Sequence, residues 1–208
     1  MRPIPDSQVD QKPMAVALMG DGSTERELLG PCAERVNGTH KTLLIPTSTI
    51  HWNKKDSSRD CGLSALQATK VYADRYDVAK SILIVDKEHV PKGNASFSLS
   101  ETLRGYGIQD PDVADLGGQG FLANGTVGAH RIVVGIVISG KKKRIEENIA
   151  FLIYLEWKIN VKPDKKSIRK VLHGKRCSLK DLMKNAKTEN LNSAFPGLMN
   201  VLRRIEKE

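Results

Sequence analysis

Two carboxylates separated by one residue, Asp86 and Glu88, close the stretch SILIVDKEHV at residues 81 to 90. In extended chain, residues two apart leave the same face. The pair therefore suits a divalent cation, though it would also suit an ordinary polar loop start. A second acidic turn, GDGSTERELL at 20 to 29, carries Asp21 and Glu25. If the strands before these two turns are neighbours, Asp21, Asp86 and Glu88 meet at one rim. Three carboxylates at close range repel, and burying them without a cation is costly. A hard cation resolves the conflict. Mg²⁺ (or Mn²⁺) takes one or two carboxylates together with waters and substrate phosphates. Glu25, one turn into the following helix, either adds a further acidic contact or favours the helix N-terminus electrostatically. His89 is a weaker candidate acid or base, and Lys87 points away from its neighbours if the strand continues.

The elements that must hold these residues read as alternating strands and helices. Apolar runs predict strands at 14–19, 42–46, 81–86 and 131–139. Thr24 with Glu27 forms a capping-box pattern that starts a helix, which Gly30-Pro31 interrupts or kinks. Helical spacing recurs over 63–79, over 98–107 and over 143–158, the last with Ile145, Ile149, Leu152 and Ile153 on one side. The glycine-rich stretch DLGGQGFLANGTVG at 115–128 reads as a mobile loop. Strand–helix alternation implies an α/β fold, a mainly parallel four-stranded sheet with helices on both faces. The expected division is a flexible N-terminal arm at 1–13, one α/β domain at 14–158 and a basic helical C-terminal extension at 159–208. Ligands of such sheets bind beyond the carboxyl ends of the strands, where Asp21 and Asp86 stand.

Charge is unevenly spread. Residues 141–208 carry 18 Lys/Arg against 8 Asp/Glu, and the other 140 residues carry 15 against 16. The whole excess of +9 therefore lies in the last third, beginning with Lys141, Lys142, Lys143 and Arg144. This is the electrostatic footprint of a polyanion partner, although a solvated Lys-rich surface has the same composition. A second basic cluster contains Lys165, Lys166, Arg169, Lys170, Lys175 and Arg176. Such side chains hold backbone phosphates without reading sequence. Aromatic residues make up only 5% of the chain, so duplex or structured nucleic acid, DNA or RNA, is a better match than stacked single strands. No apolar run of membrane-spanning length is present. The N-terminus lacks the apolar segment of a signal peptide. Cys32, Cys61 and Cys177 are odd in number and widely spaced, which reads as free thiols in a reducing, cytoplasmic setting.

The run M-G-D-G-S-T-E-R-E-L-L after the first strand and I-L-I-V-D-K-E-H at the third resemble the Toprim domain. That domain occurs in topoisomerases, primases and the overcoming-lysogenisation-defect nucleases. In that family an acidic residue and Gly follow the first strand, and D-x-D follows the third. The matching residues here are Asp21-Gly22 with Thr24-Glu25, then Asp86 and Glu88. Asp21 replaces the usual Glu, one methylene shorter, and Glu88 replaces the usual second Asp, one methylene longer. The resemblance spans residues 14 to 158.

The resemblance implies Mg²⁺-assisted phosphoryl transfer, a nuclease or related activity. Asp86 and Glu88 would hold the metal, and Asp21 or Glu25 would complete the coordination or relay a proton. The alternative is a non-catalytic nucleic-acid-binding protein on the same fold, working through its basic C-terminal third. A nucleotide-binding regulator using the GDGST turn is disfavoured, since Asp21 repels phosphate.

Overall fold

The computed structural model describes residues 1–5, 12–18, 23–36, 41–46 and 62–208. Asp21 lies outside the described residues, as do His51, Trp52 and Cys61.

Seven strands form one sheet: β1 (Arg2–Ile4), β2 (Ala15–Leu18), β3 (Thr42–Leu44), β4 (Lys80–Asp86), β5 (Gln109–Gly117), β6 (Gly120–Val127) and β7 (His130–Ser139). Their order across the sheet is β1-β3-β2-β4-β7-β6-β5. The four strands expected from sequence are β2, β3, β4 and β7, and they run parallel to one another. The expectation of a mainly parallel four-stranded sheet is nevertheless corrected: the sheet has seven strands and is mixed. β5 and β6 form an antiparallel hairpin, and β6 pairs antiparallel with β7. That hairpin occupies the stretch expected to be a mobile loop. β1, within the expected flexible arm, pairs with β3. Backbone pairing, rather than side-chain pattern, places these three strands.

Two helical layers cover the sheet, and β4 shows why. All of Ser81 to Val85 is buried, as a strand covered on both faces requires. Ile82 and Ile84 point to one layer and Leu83 and Val85 to the other, the two-residue alternation of a strand. Burying each such side chain contributes about 1.5–3 kcal/mol. The second layer holds a 3-10 helix at Gly62–Gln67, α2 (Ala68–Tyr76) and α3 (Ala95–Gly105). The first holds α1 (Ser23–Arg35), α4 (Glu146–Trp157), α5 (Lys165–Gly174), α6 (Leu179–Asn185), α7 (Thr188–Ala194) and α8 (Pro196–Lys207).

Two further expectations are revised. α1 is not interrupted at Gly30-Pro31 and continues to Arg35. Leu28, Leu29, Cys32 and Ala33 are all buried in the core on either side of the proline, and packing sustains what propensity would break. The basic C-terminal segment forms four helices that share the main core instead of extending from it. Leu182, Met183, Leu191, Leu198, Val201, Leu202 and Ile205 pack in one cluster with Ile82, Ile84 and α4. Its cations therefore decorate the outer faces of core-packed helices.

Candidate cation site at the carboxyl edge

β4 delivers Asp86 to the carboxyl edge of the sheet, next to Ser139 at the end of β7. Asp86 continues the side of Ile82 and Ile84, so it faces the layer that contains α4. There its Oδ1 accepts a hydrogen bond of 2.8 Å from the N–H of Ile145, immediately before α4. Burial pushes the Asp86 carboxyl above its ordinary range. The Ile145 N–H opposes that shift, and the nearby Glu146 and Glu88 charges add to it.

The chain does not continue as a strand beyond Asp86. Lys87–His89 form a single 3-10 turn. Residues three apart are eclipsed in such a turn, so His89 comes back beside Asp86. One ligand atom each from Asp86, Glu88 and His89 lies within 4.8 Å of the others. Sequence reasoning paired Asp86 with Glu88 through an extended geometry. The structure brings them together through a turn, and adds His89. Two carboxylate oxygens and one imidazole nitrogen are a donor set that fits a divalent cation. The carboxylates suit Mg²⁺ or Mn²⁺, and the imidazole suits Zn²⁺, Fe²⁺ or Ni²⁺. Lys87, expected to point away, donates from Nζ to the carbonyl of Lys141 at 2.9 Å.

The basic run sits against this turn. Arg144 Nε donates to Glu88 Oε1 at 2.5 Å, and the N–H of Glu88 donates to the carbonyl of Lys143 at 3.1 Å. The run is shaped from below by Glu147, whose two carboxylate oxygens accept the N–H groups of Lys142 and Lys143 at 2.7 and 3.0 Å. Gly140 opens it with φ +87, and a Cβ there would lie 2.4 Å from the nitrogen of Arg144. Only glycine permits so close a return of the backbone. All four cationic side chains, Lys141 to Arg144, are exposed.

The other predicted residues divide. Glu25 stands in the first turn of α1, half-buried. Lys165 and Arg169 line a cleft whose floor includes Glu146. Lys175 and Arg176 line a different groove beside Trp157, with Lys175 Nζ 5.8 Å from the ring centre. Lys166 and Lys170 are exposed on α5. The six thus do not form one cluster. α4 concentrates three aromatic rings next to lysines: Lys141 lies over Phe151 at 4.7 Å and Lys158 over Tyr154 at 5.3 Å, with Lys175 over Trp157.

Two residues that matter to this edge were underweighted by sequence reasoning. The D-x-E-H run itself contained the signal for His89. Glu146 shares the helical phase of Ile149 and Ile153, which predicts burial, and it is 4% exposed. Cys32 is a free, buried thiol whose pKa burial pushes up to about 12, and Cys177 is free and half-buried. Neither thiol is poised as a nucleophile. Among the described residues, no helix is long and apolar enough to cross a membrane.

Comparison of this chain with family models, with curated proteins and with solved structures finds no match.

Proposed function

We propose that this protein is a divalent-cation-dependent phosphoryl-transfer protein acting on nucleic acid, a nuclease of Toprim-like kind. The observation that carries the reading is the convergence of Asp86, Glu88 and His89 within 4.8 Å at the strand end, directly beside Lys141 to Arg144. An acidic group that concentrates a cation next to exposed cations that attract phosphate is the pairing phosphodiester chemistry requires.

A divalent cation bound there would neutralise charge developing on the phosphodiester oxygens. Asp86, half-buried and anchored to Ile145, is the fixed ligand. Glu88 would be the second ligand, and Arg144 pairs with its carboxylate. A backbone phosphate arriving at the rim would compete for Arg144, leaving the Glu88 carboxylate available as a ligand. Lys141, Lys142 and Lys143 hold neighbouring phosphates and contribute a salt-dependent share of affinity. Mg²⁺ or Mn²⁺ is the proposed cation, matched by the two carboxylates. Asp21, which follows the first apolar run in the sequence, remains part of the proposed ligand set, with Glu25 as the further acidic candidate.

One observation favours a second reading. The Arg144–Glu88 pair already balances part of the acidic charge, as it would in a nucleic-acid-binding protein that has no catalytic role. The test combines Mn²⁺ and Mg²⁺ calorimetry with cleavage of labelled single-stranded and duplex DNA and RNA, wild type against Asp86→Asn. Cation-dependent cleavage lost in the variant supports the first reading. Nucleic-acid binding without cation binding supports the second. Absence of both cation binding and nucleic-acid binding overturns both.

A further inference from the structure

α4 begins at a fork. The N–H of Ile145 is committed to Asp86 on the strand side. The next side chain, Glu146, lines a cleft of about 350 Å³ on the helical side. Glu146 is 4% exposed. Its counter-charge among the described residues is Lys165 Nζ at 3.9 Å, beyond hydrogen-bond range. A carboxylate this buried is costly unless donors reach it. The cleft lets donors in.

One wall is apolar, from Ile149 on α4, Ile168 and Leu172 on α5, and Leu179 at the start of α6, while Thr24 and Glu27 of α1 and His173 at the end of α5 add polar groups. Lys165 and Arg169, both exposed, stand over them at the mouth. A ligand that satisfies this lining needs N–H donors for Glu146, a flat apolar body for the walls and an anionic group for the two cations. A nucleotide has all three, and the volume lies within the range of small-molecule sites. Among the bases, guanine presents two adjacent N–H donors on one edge, which an ionised carboxylate accepts together. Uracil presents one.

We propose that the cleft between α1, α4, α5 and the start of α6 is a nucleotide-binding site, with the base against Ile149, Ile168, Leu172 and Leu179, its N–H edge on Glu146 and its phosphate on Lys165 and Arg169. Guanine is the preferred base. Lys165, now 3.9 Å from Glu146, turns to the phosphate when the base enters. The proposal rests on the reading of nucleic acid as substrate: because Ile145 and Glu146 are consecutive, a nucleotide held here places its strand beside Asp86 and Glu88.

The test is calorimetric titration of the whole chain with 5′-GMP, 5′-AMP, 5′-UMP and guanosine in EDTA. The expected order is GMP, then AMP, then UMP, with guanosine weaker than GMP because it lacks the phosphate. Glu146→Gln keeps the side chain's shape and is expected to weaken GMP about tenfold, the scale of a lost charged hydrogen bond, with UMP less affected. Leu179→Trp, at a half-buried position on the cleft edge, is expected to abolish binding of all the nucleotides. Circular dichroism checks that both variants are folded. The proposal is overturned if no nucleotide binds saturably at millimolar concentration, or if GMP binds both variants as it binds the wild type. Since no cation is present, GMP binding by Asp86→Asn as well as by wild type keeps this proposal standing even where the cation reading fails.

Discussion

Replacing Asp86 by Asn removes one charge from the end of β4 and leaves its shape. The Oδ1 acceptor for the Ile145 N–H is retained, so the anchor of α4 to the sheet survives. Two consequences follow. Without a cation, the charged carboxylate is held in a half-buried place that raises its pKa. The folded state then binds more protons than the unfolded state between the ordinary carboxylate range and the raised value. Stability contributed by this group therefore falls as pH rises through that window, and at neutral pH the charge is a net cost. The cation-free Asn variant is expected to melt no lower than wild type at pH 7, and any advantage it has shrinks as pH falls below the raised value. With a cation the order reverses. A ligand at a hundred times its dissociation constant stabilises by about 2.7 kcal/mol. For a chain of 208 residues that is a rise in Tm of about 5–11 °C. Asp86→Asn is expected to lose most of it. Thermal unfolding in EDTA and in Mn²⁺, from pH 5 to pH 8, reads both effects. An equal Mn²⁺ shift in both proteins would show that the cation sits elsewhere, and a variant less stable in EDTA would refute the burial argument.

Arg144→Ala frees Glu88, so Mn²⁺ is expected to bind about two- to fivefold more tightly while nucleic acid binds more weakly with a shallower salt dependence. Unchanged cation affinity in calorimetry would remove Glu88 from the ligand set. Gly140→Ala forces a Cβ to 2.4 Å from the Arg144 nitrogen in a backbone region that L-residues avoid. Urea unfolding is expected to show a loss of about 2 kcal/mol or more, and a loss below experimental error would mean that the turn relaxes freely. Cys32, buried with a thiol pushed up to about 12, is expected to resist a thiol reagent at pH 8 until the protein unfolds, while Cys177, half-buried, reacts before it. Mass spectrometry of the labelled peptides distinguishes the two.

Much of the frame was legible in the chain itself. An apolar run such as Ile82–Val85 has to be buried on both faces, and its abrupt end in Asp86 marks where the sheet meets solvent. The stripe of Ile145, just before α4, with Ile149 and Ile153 on it announced a buried helix, and all three are buried. The β5–β6 hairpin was illegible for a physical reason. β5 is an edge strand with exposed Asp110, Asp112 and Asp115, so it shows no apolar alternation. Its turn glycines signalled mobility, yet a Cβ on Gly120 would lie 2.7 Å from the carbonyl oxygen of Gly197. Those glycines admit the start of α8 against the sheet. Close approach and flexibility use the same residue, and only the packed partner tells them apart.

Local covalent facts and hydrophobic period therefore determined the α/β class, the four parallel strand positions, the acidic strand end and the basic last third. The register of side chains around the site came from contacts distant in sequence. His89 joins Asp86 because the chain turns after β4. Glu88 meets Arg144 because β7 lies beside β4, 56 residues on. Glu146 lines a cleft because α5 and the start of α6 fold back over α4. Backbone pairing and core burial set these juxtapositions, and neither is written in the spacing of the residues they bring together.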